Sequence, residues 1–74
     1  MPKAFVMINA DFWGKRDVLK ILKKINGIKI YRVDGPYDFV VEVNAEDMDK
    51  LKDIIEWQIR RISTIQSTLT LIVL

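Results

Sequence analysis

Apolar and polar positions along the chain follow two periods. Ala4-Phe5-Val6-Met7-Ile8 is a short unbroken apolar run, rich in β-branched and aromatic residues, and predicts a strand buried on both faces. Asn9 to Gly14 then reads as a loop. Asp17 to Ile25 switches to the helical period, with Val18, Leu19, Leu22 and Ile25 on one face. Lys20, Lys23 and Lys24 fall elsewhere and suit the negative end of the helix dipole. Asn26-Gly27 predicts the stop, because glycine accepts a left-handed cap. A second strand is expected over Ile28 to Val33, a turn at Asp34-Gly35-Pro36-Tyr37, and a third strand over Asp38 to Val43. Phe39, Val41 and Val43 share one face of that strand. A second helix is predicted from Asn44 as N-cap, with Glu46 and Asp47 at its positive end. Its stripe is Met48, Leu51, Ile54, Ile55, Ile59 and Ile62. Ser63 to Gln66 breaks the pattern, and Ser67 to Leu74 predicts a last strand.

The predicted order is strand, helix, strand, strand, helix, strand. Two right-handed strand–helix–strand halves make an α+β, ferredoxin-like βαββαβ sandwich. A four-stranded antiparallel sheet then carries both helices on one face, as a single domain over residues 1–74. The other sheet face should be polar if it met water. It is not. Phe5 and Met7 face away from Val6 and Ile8, Val40 faces away from Phe39, and Leu69, Leu71 and Val73 share a side. Such an apolar patch predicts an interface. Trp57, well off the Leu51/Ile55/Ile62 face of its helix, and Ile21, at the edge of its own, support the same expectation.

Size reinforces that expectation. A compact monomer of 74 residues should expose about 4,700 Å², and so small a core leaves a lone copy marginal. The chain has no cysteine and no histidine. Disulfides, Cys/His zinc sites, thiol nucleophiles and imidazole acid–base chemistry are therefore excluded within it. Self-association is the remaining common source of stability. Twelve basic and ten acidic residues give a formal net charge of +2, and their intermixing describes an ordinary solvated surface. A secretory signal and a membrane span are not expected, since the closing apolar stretch runs only from Leu71 to Leu74; a cytoplasmic protein is.

Few residues carry candidate chemistry. Gly35-Pro36-Tyr37-Asp38 is a common turn composition. It also suits a small-ligand loop, where glycine admits close approach, free amides bind an anion and Asp38 binds an ammonium. Ser67-Thr68-Leu69-Thr70 fits a strand with hydroxyls on one side, or donors lining a pocket. Asp47, Asp49, Asp53 and Glu56 sit among lysines as solvated helix partners, so no catalytic carboxylate pair and no enzyme are expected. Asp11-Phe12-Trp13-Gly14-Lys15-Arg16 mixes aromatics with base; Phe12 and Trp13 either cap the core or meet a partner.

In their order and spacing several segments resemble the effector-binding RAM domain of the Lrp/AsnC (feast/famine) transcription regulators. They are Ala4–Ile8, Ile25-Asn26-Gly27-Ile28, Gly35–Val40, Ala45-Glu46-Asp47, Ser67–Thr70 and Leu71-Ile72-Val73. The family's helix-turn-helix has no room in 74 residues, so the chain resembles a stand-alone RAM form, and direct DNA binding is not expected. The resemblance implies a homodimer through the open sheet faces, a higher closed oligomer, and an amino acid or related metabolite bound at seams between subunits. It places ligand contacts at Gly35, Tyr37, Asp38, Thr68 and Thr70. Asp38 would take the α-ammonium; the amides near Gly35 and Tyr37 and the two hydroxyls would take the α-carboxylate. Pro36 has no N–H, so one amide is missing there. No metal or cofactor is implied. The alternative partner is a full-length Lrp/AsnC regulator, which the chain would join without a ligand of its own.

Two other functions share this topology. An RRM-like sheet would stack single-stranded RNA on Phe5, Tyr37 and Phe39. Asp34 and Asp38 oppose that, because they repel phosphate. An ACT-type amino-acid domain is the other, normally attached to an enzyme.

Overall fold

The computed structural model describes all 74 residues. β1 (Lys3–Ala10) leads through a 3-10 turn (Phe12–Gly14) into α1 (Lys15–Leu22). β2 (Ile28–Arg32) and β3 (Phe39–Asn44) form a hairpin, α2 (Met48–Asp53) runs on into a π-helical segment (Ile54–Ile59), and β4 (Ile65–Ile72) closes the sheet. The strand order is β2-β3-β1-β4, antiparallel throughout. This is the ferredoxin-like sandwich expected from the pattern.

The strict period of two in β1 and β3 builds the core. Ala4, Val6, Ile8 and Ala10 alternate into it from β1, and Phe39, Val41 and Val43 from β3. Above them, Val18 and Leu22 of α1, Ala45, and Leu51, Ile55, Ile59 and Ile62 complete a cluster of 14 buried residues. Leu19, Ile25, Ile28, Ile30, Ile54 and Ile65 pack around its margin. No polar or charged residue is buried.

Several boundaries differ from the expectation, each for a local reason. The second helix does not start at Asn44, which ends β3 and donates its side-chain amide to Glu42 at 3.0 Å. Asp47 is the N-cap, accepting the Lys50 amide at 2.8 Å. α1 runs from Lys15 to Leu22 and is capped by Lys23, not by Gly27. Gly27 serves the neighbouring strand: at φ +83° its carbonyl accepts the Asn44 amide, and a Cβ would stand 2.9 Å from the Asn44 carbonyl oxygen. β4 begins at Ile65, two residues before the expected start, because Ser67 and Ile65 already pair with Asn9 and Ala10 across a bulge. Met48, expected in the apolar stripe, is exposed.

The π-helical segment is not visible in the apolar spacing. Its signature bond runs from the Arg60 amide to the Ile55 carbonyl, 2.9 Å. The wider turn brings Ile55 and Ile59, four residues apart, to the same inward line as Leu51. Trp57 is left 64% exposed, with the Arg61 guanidinium 5.4 Å from its ring centre.

The molecule is a slab of 34 × 22 × 16 Å. Its accessible surface is 5231 Å², above the roughly 4,700 Å² of a compact monomer. The uncovered sheet face contributes to that excess, beside exposed Phe12, Trp13 and Trp57. By register it carries Phe5 and Met7 of β1, Val40 of β3, Tyr31 of β2, and Leu69 and Leu71 of β4. Tyr31, Leu69 and Leu71 are 44–49% exposed.

Candidate functional site

The β2–β3 connection spans residues 33–38, and its shape comes from three backbone constraints. Gly35 takes φ +151°, a conformation essentially reserved for glycine. A Cβ there would meet nothing within 4 Å, so the restriction is one of backbone, not of space. Pro36 fixes its own φ, and its carbonyl accepts the Asn9 side-chain amide at 3.0 Å. The Val33 amide closes the hairpin on the Asp38 carbonyl at 3.1 Å.

Asp38 is the hub. Its backbone amide donates to the Ile8 carbonyl at 3.0 Å. One carboxylate oxygen accepts the Ala10 amide at 3.0 Å, and the other pairs with Lys15 Nζ at 3.1 Å. One side chain thus ties the hairpin to the end of β1 and the start of α1. The Ala10 hydrogen bond first, and then the Lys15 ammonium, hold its carboxyl below the ordinary value of 3.8. Lys15 also lies 5.9 Å from the Phe12 ring centre.

Thr68 and Thr70 stand opposite Ile8 and Val6 on β4. They therefore project toward the helical layer, half-buried, on the far side of β1 from the hairpin. Ile8 pairs with Phe39 on one side and Thr68 on the other, which sets the two regions about 10 Å apart, two strand spacings. Asp38 lines a cleft of about 710 Å³ beside α1, whereas Thr68 lines a separate depression of about 350 Å³ with Arg60, Ile65 and Ser67. Gly35, Tyr37 and Asp38 are brought together by the hairpin. The threonines belong to another surface of the same chain.

Phe39 is 3% exposed and part of the core. Placing it on an RNA-stacking platform with Phe5 and Tyr37 is thereby corrected: it faces the helices, whereas Phe5 is on the open face. The alternation of β3 dictates this, since Phe39 shares the side of Val41 and Val43. Phe12 and Trp13 do not cap the core. They form an edge-to-face pair with ring centres 4.9 Å apart, 74% and 88% exposed.

Lys15 and Arg16, noted in the sequence among the aromatics and base of residues 11–16, open α1; their place beside the hairpin, and Arg32 altogether, are missed by pattern reading. For Arg32 the signal was present in the sequence. Ile28, Ile30 and Arg32 alternate, and their partners Val43, Val41 and Phe39 all face the core.

Comparison with known proteins covers nearly the whole chain. The family model described as Lrp/AsnC ligand binding domain matches residues 3–74. The structure of FFRP-DM1 superposes with a TM-score of 0.92 at 29% identity, covering 100% of both chains. The hypothetical protein PHS023 from Pyrococcus horikoshii gives 0.89 at 31% identity, over 100% of this chain and 90% of that one. AsnC of E. coli gives 0.89 at 28% identity, over 99% of this chain and 50% of the regulator. In sequence, 58 residues are 43% identical to homocitrate synthase of Saccharolobus islandicus, and 41% to that of Sulfurisphaera tokodaii. These matches span 77% of this chain but only 12% of the synthases' length.

Proposed function

The chain belongs to the Lrp/AsnC ligand-binding domain family, a family of regulators, and we propose that it acts as a non-enzymatic regulatory module that binds an amino acid or related metabolite where copies of it meet. The observation that carries the reading is the uncovered apolar sheet face. Phe5, Met7, Val40, Leu69 and Leu71 line a surface that a second copy would cover, giving a homodimer. Dimers then assemble into a closed oligomer, and the ligand sits at the seams.

The placement of the five candidate residues supports this. The hairpin Gly35–Asp38 and the pair Thr68/Thr70 occupy separate surfaces of one chain, so a ligand using both needs a neighbouring copy to join them. Ligand binding at such a seam favours the oligomer that completes it. Asp38 enters the site already paired with Lys15. An α-ammonium would take the place of that lysine on one carboxylate oxygen while Ala10 keeps the other.

Light scattering coupled to size exclusion, run with each of the twenty amino acids, tests the reading. The expected result is a dimer or larger species whose mass or melting temperature shifts with one class of amino acid, and an Asp38→Ala variant that loses the shift. A monomer at micromolar concentration that responds to none would refute it.

The synthase resemblance favours a second reading for the partner. A similar segment resides in much longer chains named for an enzyme, so this module would govern an enzyme or a full-length Lrp/AsnC regulator by joining it. Mixed oligomers on co-expression with such a regulator would identify that route. No helix is long and apolar enough to cross a membrane.

A further inference from the structure

The cleft between α1 and the β2 edge, the one Asp38 lines, carries three cationic side chains against two carboxylates. Its apolar floor is Leu19, Val33 and Phe39, and its walls bring in Lys15 and Arg16 from α1, Arg32 from β2, and the carboxylates Asp34 and Asp38. Four ion pairs exist in the molecule: Lys15–Asp38, Lys29–Glu42, Lys50–Glu46 and Arg60–Glu56. Lys15 is therefore satisfied. Arg16 and Arg32 have no carboxylate within ion-pair distance, although Asp34 lines the same cleft.

Both arginines sit where their own elements disfavour them. Arg16 lies in the first turn of α1, at the positive end of the helix dipole. Arg32 occupies a core-facing register position on β2, opposite Phe39. Arginines from two different elements thus line one cleft with an apolar floor. Each guanidinium fork matches a carboxylate in two-pronged geometry. The apolar floor suits a short run of methylenes and offers nothing to a bare inorganic anion.

We propose that this cleft is a binding site for a short aliphatic dicarboxylate, with Arg16 and Arg32 each taking one carboxylate and Leu19, Val33 and Phe39 contacting the chain between them. The site is complete within one copy. It needs neither an α-ammonium nor a subunit seam, and so goes beyond the amino-acid reading above.

Calorimetric titration of the full chain with glutarate tests it, with butyrate, inorganic phosphate and L-leucine as comparison probes. Saturable glutarate binding is expected, at least about tenfold tighter than butyrate, because one charge-assisted contact is lost with the second carboxylate. Arg16→Gln and Arg32→Gln should each weaken glutarate about tenfold or more, whereas Lys29→Gln, outside the cleft, leaves it unchanged. Arg32→Lys should fall between, since it keeps the charge and loses the fork. The proposal is overturned if glutarate does not bind, if phosphate binds as well as glutarate, or if both arginine variants bind like the parent chain. Arg32 would then be an inward charge that guards a sheet edge. If leucine or another neutral amino acid shifts the oligomer while glutarate does not bind, this inference falls and the seam reading stands. The reverse outcome separates them the other way.

Discussion

Asp38 joins the hairpin, β1 and α1 through three contacts, and it is the residue whose loss should be felt furthest. Replacement by alanine leaves the Ala10 amide without its acceptor and should cost about 1–2 kcal/mol in urea unfolding at neutral pH. Its acid response follows from the lowered pKa. The stabilisation by ionised Asp38 is complete above the unfolded-state value and fades as pH falls through the lower folded-state one. The parent chain should therefore lose stability below about pH 4, and Asp38→Asn should lose less over that interval while starting from a lower value at pH 7. Urea midpoints for both proteins, taken from neutral pH downward, measure the difference. A second residue-scale test concerns Thr64, whose hydroxyl is buried without a hydrogen-bond partner. Thr64→Val keeps the shape and removes the orphan, so stability should stay level or rise by up to about 1 kcal/mol. Gly14→Ala is the opposite case. Its Cβ would lie 2.6 Å from Thr64 Cβ, and the crowding should cost about 1–3 kcal/mol in the same assay.

At the scale of elements, apolar periodicity located every strand and both helices, while the ends were set by individual hydrogen bonds. The start of α2 shows why. Asn44 is the cap expected from the sequence, and only the path of the chain leaving β3 decides that Asp47 instead reaches the Lys50 amide. Asp47→Ala should cost about 1 kcal/mol in chemical denaturation. Asn44→Ala, which removes no cap, should leave the helical circular dichroism signal unchanged and lower stability only by the lost hydrogen bond to Glu42, less than Asp47→Ala does. The π-helical segment was hidden for a related reason: Leu51, Ile55, Ile59 and Ile62 satisfy an α-helical stripe and a slightly wider one equally well.

For the whole molecule the uncovered sheet face matters most. The slab is one sheet and one helical layer thick, and its outer sheet face holds side chains that would be core in a larger protein. Leu71→Asp places a charge on the β4 edge of that face, opposite Phe5. On the dimer reading it should yield a monomer by light scattering, with the secondary structure retained by circular dichroism and a lower melting temperature. An unchanged mass would mean that copies meet elsewhere.

The topology, the two-faced apolar strands and the glycine-bearing hairpin all follow from local rules: a period of two or 3.6, and the φ values that each residue tolerates. Those rules act over a few neighbours and are written in the order of the residues. What Asp38 binds, which side of β1 Thr68 and Thr70 occupy, and the meeting of Arg16 with Arg32 were decided by the tertiary structure. Each depends on strand register and on the approach of segments distant in the chain, as when Asp38 caps the amide of Ala10. Distances of that kind are set by the packing of the entire core, which no single stretch of sequence encodes.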